Sequence, residues 1–284
     1  MPLWTPGARR SYIVDNWGAN PIGTHGVAIT PGASDAEGSW TDSGLGTLAN
    51  EVVGFHVRIA DGSTATAIKR HVMDIGVDPA AGTSYSVIID NIVCGSSAFI
   101  SNTGAPGHQF YFPIRIPSEA TVGIRVQGSN ATAGTVRVAL RASGRSDMSW
   151  LFPVGQYAET IGVSGSNGTA FTPGNAADGA WASLGTTTRE CWWWQLAYQI
   201  SNGTITSEYT YIELAYGDAS NKVVIMRHMH AANTSEGIGT PLNENLIAHA
   251  AYCRVPAGSN LYARGRCNNA PDTGYQAAAI GIGG

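Results

Sequence analysis

Apolar and polar residues alternate in short runs along most of the chain. Val53, Phe55, Val57 and Ile59 alternate with Gly54, His56 and Arg58. Met73, Ile75 and Val77 alternate with Asp74 and Gly76, Val122, Ile124 and Val126 with Gly123, Arg125 and Gln127, and Val136, Val138 and Leu140 with Arg137 and Ala139. A period of two is the signature of half-buried strands, and turn residues punctuate it: Asp61-Gly62, Asn202-Gly203, and Pro256 to Ser259. No convincing helical stretch exceeds a turn or two. The pattern predicts an all-β protein with roughly eight short strands in each of two halves.

The two halves are copies. Arg115 and Arg254, Pro117 and Pro256, Arg125 and Arg264, and Asn130 and Asn269 all stand 139 residues apart, as do Glu51 and Glu190 and the Leu-Gly-Thr triplets at Leu45 and Leu184. Asp74 meets Glu213 at the same spacing. Upstream the spacing drifts: 142 between Thr30-Pro31-Gly32 and Thr172-Pro173-Gly174, and 141 between Trp40 and Trp181. A repeat of this length is a domain-sized duplication. The expected organisation is an N-terminal arm (1–10), a first repeat (11–143), a linker (144–156) and a second repeat (157–284). The expected fold is two tandem, internally duplicated antiparallel β-sandwich (jelly-roll-like) domains. Last strands ending at Leu140 and Ala279 would close the sheets, and the tail Gly281 to Gly284 is too glycine-rich to pack on its own.

Composition narrows the function. Of 284 residues only 13% are charged, 36 are glycine, and the formal net charge is −4. Lysine occurs only at Lys69 and Lys222. Neither a nucleic-acid footprint nor a polybasic membrane anchor is present, and no apolar run is long enough to span a bilayer. Met1 to Arg10 lacks the apolar core of a signal peptide, so no signal peptide is expected. The four cysteines, Cys94, Cys191, Cys253 and Cys267, do not repeat and form no CxxC pair, so free thiols are expected.

Three groups of residues carry candidate chemistry. In Trp192-Trp193-Trp194, alignment with Val53-Gly54-Phe55 turns Trp192 and Trp194 to the core. Trp193 is left facing a domain, subunit or glycan contact. The repeated cations Arg115, Arg254, Arg125 and Arg264, with the repeated acids Asp74 and Glu213, suit structural ion pairs within each domain. Anion recognition by the arginine forks is the rival reading. His228 and His230 share a strand face, which suits a solvated or interface surface, because no third metal ligand is identifiable. No nucleophile elbow, P-loop, HExxH or dinucleotide fingerprint occurs, so no catalytic residue, cofactor or metal is expected. Twenty acidic residues leave open a carboxylate pair for polysaccharide hydrolysis that sequence cannot locate.

Asp74-Ile75-Gly76-Val77-Asp78, then Phe112-Pro113-Ile114-Arg115-Ile116-Pro117, then Ile124-Arg125-Val126-Gln127 resemble a group of tailed-bacteriophage virion proteins. In that group an acidic-Ile-Gly-Val strand leads to a Pro-x-Arg-Ile-Pro-x-Gly turn and a strand with a repeated arginine. The second copy supplies Glu213-Leu214-Ala215-Tyr216 and Arg254-Val255-Pro256-Ala257-Gly258. The first copy departs at Ser118-Glu119, where the turn glycine is missing. The resemblance implies tandem jelly-roll-like domains in a virion assembled in the host cytoplasm. Its partners would be further copies of itself, a trimer being the natural guess, and other virion proteins such as major capsid or tail and neck proteins. A non-enzymatic capsid decoration or cement protein, or a head-neck-tail appendage, is the leading expectation. The alternative is a carbohydrate- or receptor-binding module of a fibre or spike that takes a host-surface glycan.

Overall fold

The computed structural model describes residues 13–16, 26–32, 34–61, 69–96, 109–129, 135–144, 154–200, 208–232, 250–268 and 275–284. The alternation above becomes strands throughout, and no helix occurs among the described residues. The first half contains β1 (Ile13–Asp15), β2 (Val27–Ile29), β3 (Thr41–Asp42), β4 (Val52–Asp61), β5 (Lys69–Asp78), β6 (Ser86–Ser96), β7 (Gln109–Phe112), β8 (Thr121–Gly128) and β9 (Val136–Gly144). The second contains β10 (Tyr157–Ile161), β11 (Val163–Ser164), β12 (Asn167–Phe171), β13 (Gly174–Asn175), β14 (Ala182–Thr186), β15 (Cys191–Ile200), β16 (Glu208–Gly217), β17 (Lys222–Ala232), β18 (Ala250–Val255), β19 (Asn260–Cys267) and β20 (Tyr275–Gly283).

In the first half, β1-β9-β4-β7 form one sheet and β3-β8-β5-β6 the facing one. In the second, β10-β20-β15-β18 form one sheet and β14-β19-β16-β17 the other. This double wrap of eight strands is the jelly roll. The 139-residue spacing recurs strand for strand: β4 and β15, β5 and β16, β8 and β19, and β9 and β20 start and end at matching positions. Even a bulge is copied. The ladder skips one residue between Val52 and Gly54 in β4, and between Cys191 and Trp193 in β15.

That bulge corrects the facing of the tryptophans. An extra residue in one strand resets the alternation beyond it. Val52 and Cys191, not Val53 and Trp192, therefore hold the fully buried places before Phe55 and Trp194. Trp192 is half-buried on the bulge itself. A second correction concerns the tail. β9 runs past Leu140 to Gly144, the first residue of the expected linker, and β20 runs past Ala279 to Gly283. The glycines permit this packing rather than prevent it. A Cβ on Gly281 would meet the Trp194 ring at 2.7 Å, and one on Gly283 the carbonyl of Glu190 at 2.2 Å. Glycine is what lets the backbone come this close.

The sandwiches are joined edge to face. β6, at the edge of the first, pairs in parallel with β10 through Ile89 and Ala158, so one sheet runs on into the second sandwich. Behind this pairing, Ala197, Ala278, Ile280 and Ile282 of the second sandwich belong to the first sandwich's core. β20 is thus apolar on both faces: Ala277 and Ala279 face its own core, while Ala278, Ile280 and Ile282 face the neighbour.

Candidate functional site

The repeated charges lie on the outward face of the β8-β5 and β19-β16 pairs, where Asp74 stands opposite Arg125 and Glu213 opposite Arg264. Arg125 donates from Nε to Asp74 at 2.8 Å and from Nη2 to Glu37 at 2.8 Å, and its guanidinium lies 4.7 Å over the Trp40 ring. Arg264 donates from Nε to Glu213 at 2.6 Å, bridges to Asp178 at 2.7 Å, and lies 4.4 Å over Trp181. Two carboxylates and an indole face hold each arginine, the geometry in which charge-assisted bonds are strongest. Each guanidinium is thus committed to carboxylates of its own sandwich. Arg115 and Arg254 do not join these clusters. They reach Glu51 at 3.6 Å and Glu190 at 3.0 Å, in exposed pairs.

The clusters differ in one member. In the second copy, Arg227 on β17 also donates to Glu213, at 2.7 Å from Nε. Burial alone would raise the Glu213 carboxyl, but the two arginines outweigh it and hold its pKa below the ordinary value. In the first copy, Asp90 and Asn91 occupy a bulge of β6 where β17 has Arg227. The Asn91 N–H bonds Asp74 at 2.7 Å. Asp90 has no such cation. Burial, with the charges of Asp74, Glu159 and Glu37, pushes its carboxyl up to about 6.

Around Arg264 the second sandwich opens a cleft of ≈ 650 Å³, lined by Ala176, Asp178, Tyr211, Glu213, Arg227 and Arg266 among others. The matching face of the first sandwich is occupied. There the β11–β12 turn sits on Asp35, whose carboxylate accepts the Ser166 N–H at 2.8 Å, and Val72, the counterpart of Tyr211, is buried.

Trp193 lies in the joint, half-buried against the first sandwich's core. Beside it the fully buried Gln195 uses its carboxamide as a strand would. It donates to the Tyr111 carbonyl at 2.6 Å and accepts the Tyr111 N–H at 3.3 Å, pairing the outer edge of β7. Thr160 donates to the Asp90 carbonyl at 2.5 Å, and Gly155 bridges Pro113 and Arg115. Sequence reasoning missed Gln195, Asp90, Arg227, Glu37 and Asp178. Glu37 and Asp178 share the 141-residue spacing of Trp40 and Trp181, which is a readable signal. The joint was foreshadowed by the unbroken apolar run of β20, since strands buried on both faces lose their alternation.

His228 departs from expectation. A bulge at Ile225 shifts β17, so His228 is buried opposite Ile212, its ring 5.3 Å from Tyr198, rather than on an outer surface. The side chain of His230 lies outside the described residues, and no metal-holding group occurs among those described. Cys191 and Cys267 are buried and Cys253 half-buried, all as free thiols; burial foremost, then the Glu159 charge, pushes the Cys191 thiol well up. The Cys94 side chain also lies outside the described residues.

No known protein family matches the chain, and no curated protein does. Solved structures match its fold. The chain covers 65% of the PNGF-II structure at 9% identity and a TM-score of 0.36. It covers 96% of PNGase F, a glycosylasparaginase from Flavobacterium meningosepticum, at 10% identity and 0.37. It covers 96% of the STIV MCP at 10% identity and 0.39, with 95 to 97% of this chain spanned in the three cases. At these identities and TM-scores the likeness assigns no role to the chain.

Proposed function

We propose that this chain is a non-enzymatic structural protein of a virion that assembles with copies of itself. Following the sequence resemblance, the virion is a tailed bacteriophage, and the role is capsid decoration or part of a head-neck-tail appendage. The observation that carries the reading is what the repeated residues do. Those of the resemblance motif are spent on building the sandwich twice: Ile114 and Ile116 are fully buried, and Arg125 and Arg264 each lock one sheet to a loop. Motif positions in a scaffolding role suit a protein that contributes shape and contact surface, and sandwiches host many such functions. Trp193 is partly buried against the first sandwich's core, which favours a structural role for it over sugar stacking.

Immunogold labelling of particles from the source encoding this chain tests the proposal. Gold over the head supports decoration, and gold at the neck, tail or fibre supports an appendage. Expressed protein with no gold on any particle overturns it.

A further inference from the structure

We infer that the free edge of β17 receives β1 of a second copy of this chain, repeating between chains the joint that β6 and β10 form within one. The inference rests on the self-assembling reading above and names its surface.

The duplication sets the correspondence. β6 and β17 are equivalent edge strands: Met73 and Ile75 pair with Ile92 and Ile89, and their counterparts Ile212 and Leu214 pair with His228 and Met226. β1 and β10 are equivalent too. Each runs antiparallel along the last strand of its sandwich, Ile13 beside Ser143 and Ala158 beside Ile282. Within the chain, the outer edge of β10 docks on β6. Among the described residues, nothing pairs with the outer edge of β1 or β17.

The free edge of β1 displays what the docked edge of β10 buries. Ala158 is 5% exposed, whereas Ile13 in the same place is 54% exposed. On the β17 side, Tyr211 is exposed where its counterpart Val72 is buried, while Val223 and Val224 are exposed as their counterparts Ser86 and Val87 on β6 are. An eleven-residue edge with bare valines is a template for another strand. Charge selects which strand. Lys222 and Arg227 flank the valines, so pairing of β17 with a second β17 sets cations against cations. β1 brings Asp15, at the place of Thr160, toward Arg227, at the place of Asp90. The repeated joint is more polar than the original, because Arg58 and Arg141 stand where Ala197 and Ile280 do. It is therefore a weaker, salt-sensitive contact. A head-to-tail contact of this kind closes into a ring or propagates as a filament.

The test uses the full chain carrying Ile13→p-benzoyl-phenylalanine, prepared as a mixture of light and heavy isotope forms and irradiated. Trypsin cuts after Lys222 and Arg227, so β17 yields the peptide Val223 to Arg227. The expected product is a mixed light–heavy crosslink to that peptide. In parallel, Ile13→Lys should weaken self-association about tenfold or more in sedimentation, with unchanged melting of the dissociated chain. Crosslinks confined to one isotope form mean the chain covers its own edge and overturn the inference. An oligomer crosslinked elsewhere also overturns it, while sparing the proposed function. A chain monomeric at every concentration overturns both.

Discussion

On the first sandwich, β9 turns Arg137, Arg141 and Ser143 outward, and β4 turns out His56 and Arg58. On the second, β20 turns Ala278, Ile280 and Ile282 to the same side, and β15 turns Trp193, Gln195 and Ala197. The inner faces keep their apolar character and even a bulge, although most of their residues differ. A duplicated scaffold has thus kept an apolar core, built from other residues, and changed the polarity of one outer face, and that face makes two sandwiches into one body. Putting an arginine on the second copy, Ile280→Arg, should have the largest effect available. An unpaired cation in the apolar joint costs about 3–5 kcal/mol, and calorimetry should show the single unfolding transition split in two. The reverse change, Arg141→Ile, breaks a partly exposed pair with Asp15 and should shift stability by less than about 1 kcal/mol. Equal effects of the two would erase the distinction between the faces.

The inner cross-strand pairs exchange volume between the copies: Val57 and Leu140 become Leu196 and Ala279, and Ile59 and Val138 become Tyr198 and Ala277. Phe55 faces Ala142 in the first copy, and Trp194 faces Gly281 in the second. The larger ring goes with the smaller neighbour, a volume-conserving exchange in a close-packed core. Gly281→Ala should therefore destabilise by about 1–3 kcal/mol, since its Cβ falls 2.7 Å from the indole. In a Trp194→Phe background the same substitution should cost far less. Urea denaturation of the four variants gives the coupling, and additive effects would show that the two sites do not share the space.

Much of this comparison was legible in the sequence. The strict alternation of β8 and β9, and the spacing of the arginines and their acids, encode one-sided sheets with a charged outer face. A bulge, by contrast, leaves no composition signal. Val52-Val53 and Cys191-Trp192 look alike as strand residues, so the side on which Trp192 falls depends on a ladder that only pairing reveals. The joint lies between these extremes. The apolar run Ala277 to Ile282 announces burial on both faces, but nothing in it names β6 and β7 as the partners. Gln195 reads as a polar interruption until the edge of β7 is beside it.

The charged clusters predict opposite responses to acid. Asp90 titrates near 6 in the folded chain against an ordinary 3.8, so its ionised form is disfavoured by folding. That penalty is fully present above pH 6 and disappears as pH falls below about 4. Glu213 is held below its ordinary 4.5, so its stabilisation is present above that value and lost as pH drops through the lowered folded pKa. Mild acidification from pH 7 to 5 should therefore strengthen the joint, where Asp90 lies beside Thr160, before stronger acid loosens the second sandwich. Asp90→Asn should stabilise at pH 7 by about 1 kcal/mol, allowing for its partial exposure, and abolish the gain on going to pH 5. Glu213→Gln should cost about 1–2 kcal/mol at pH 7 and flatten the acid limb. Thermal melts across pH 3 to 8 check both, and a melting temperature that falls steadily from pH 7 to 5 would falsify the role of Asp90.

The smallest effect belongs to the residues most visibly repeated. Arg115 and Arg254 mark the duplication as clearly as any pair in the chain, yet their ion pairs with Glu51 and Glu190 are exposed on both sides. Exposed pairs contribute about 0–1 kcal/mol, less in salt. Arg254→Ala, at the tighter pair, should change stability only slightly in low salt, and that difference should vanish in about 1 M salt, where the screening length is near 3 Å. Arg115→Ala should cost no more, because what ties Arg115 to the second sandwich is its backbone N–H, bonded to the Gly155 carbonyl at 2.9 Å and untouched by the substitution. A loss above about 2 kcal/mol at either site, persisting in salt, would show that the arginine stem packs on the turn and that its aliphatic part, not its charge, is what both copies retain.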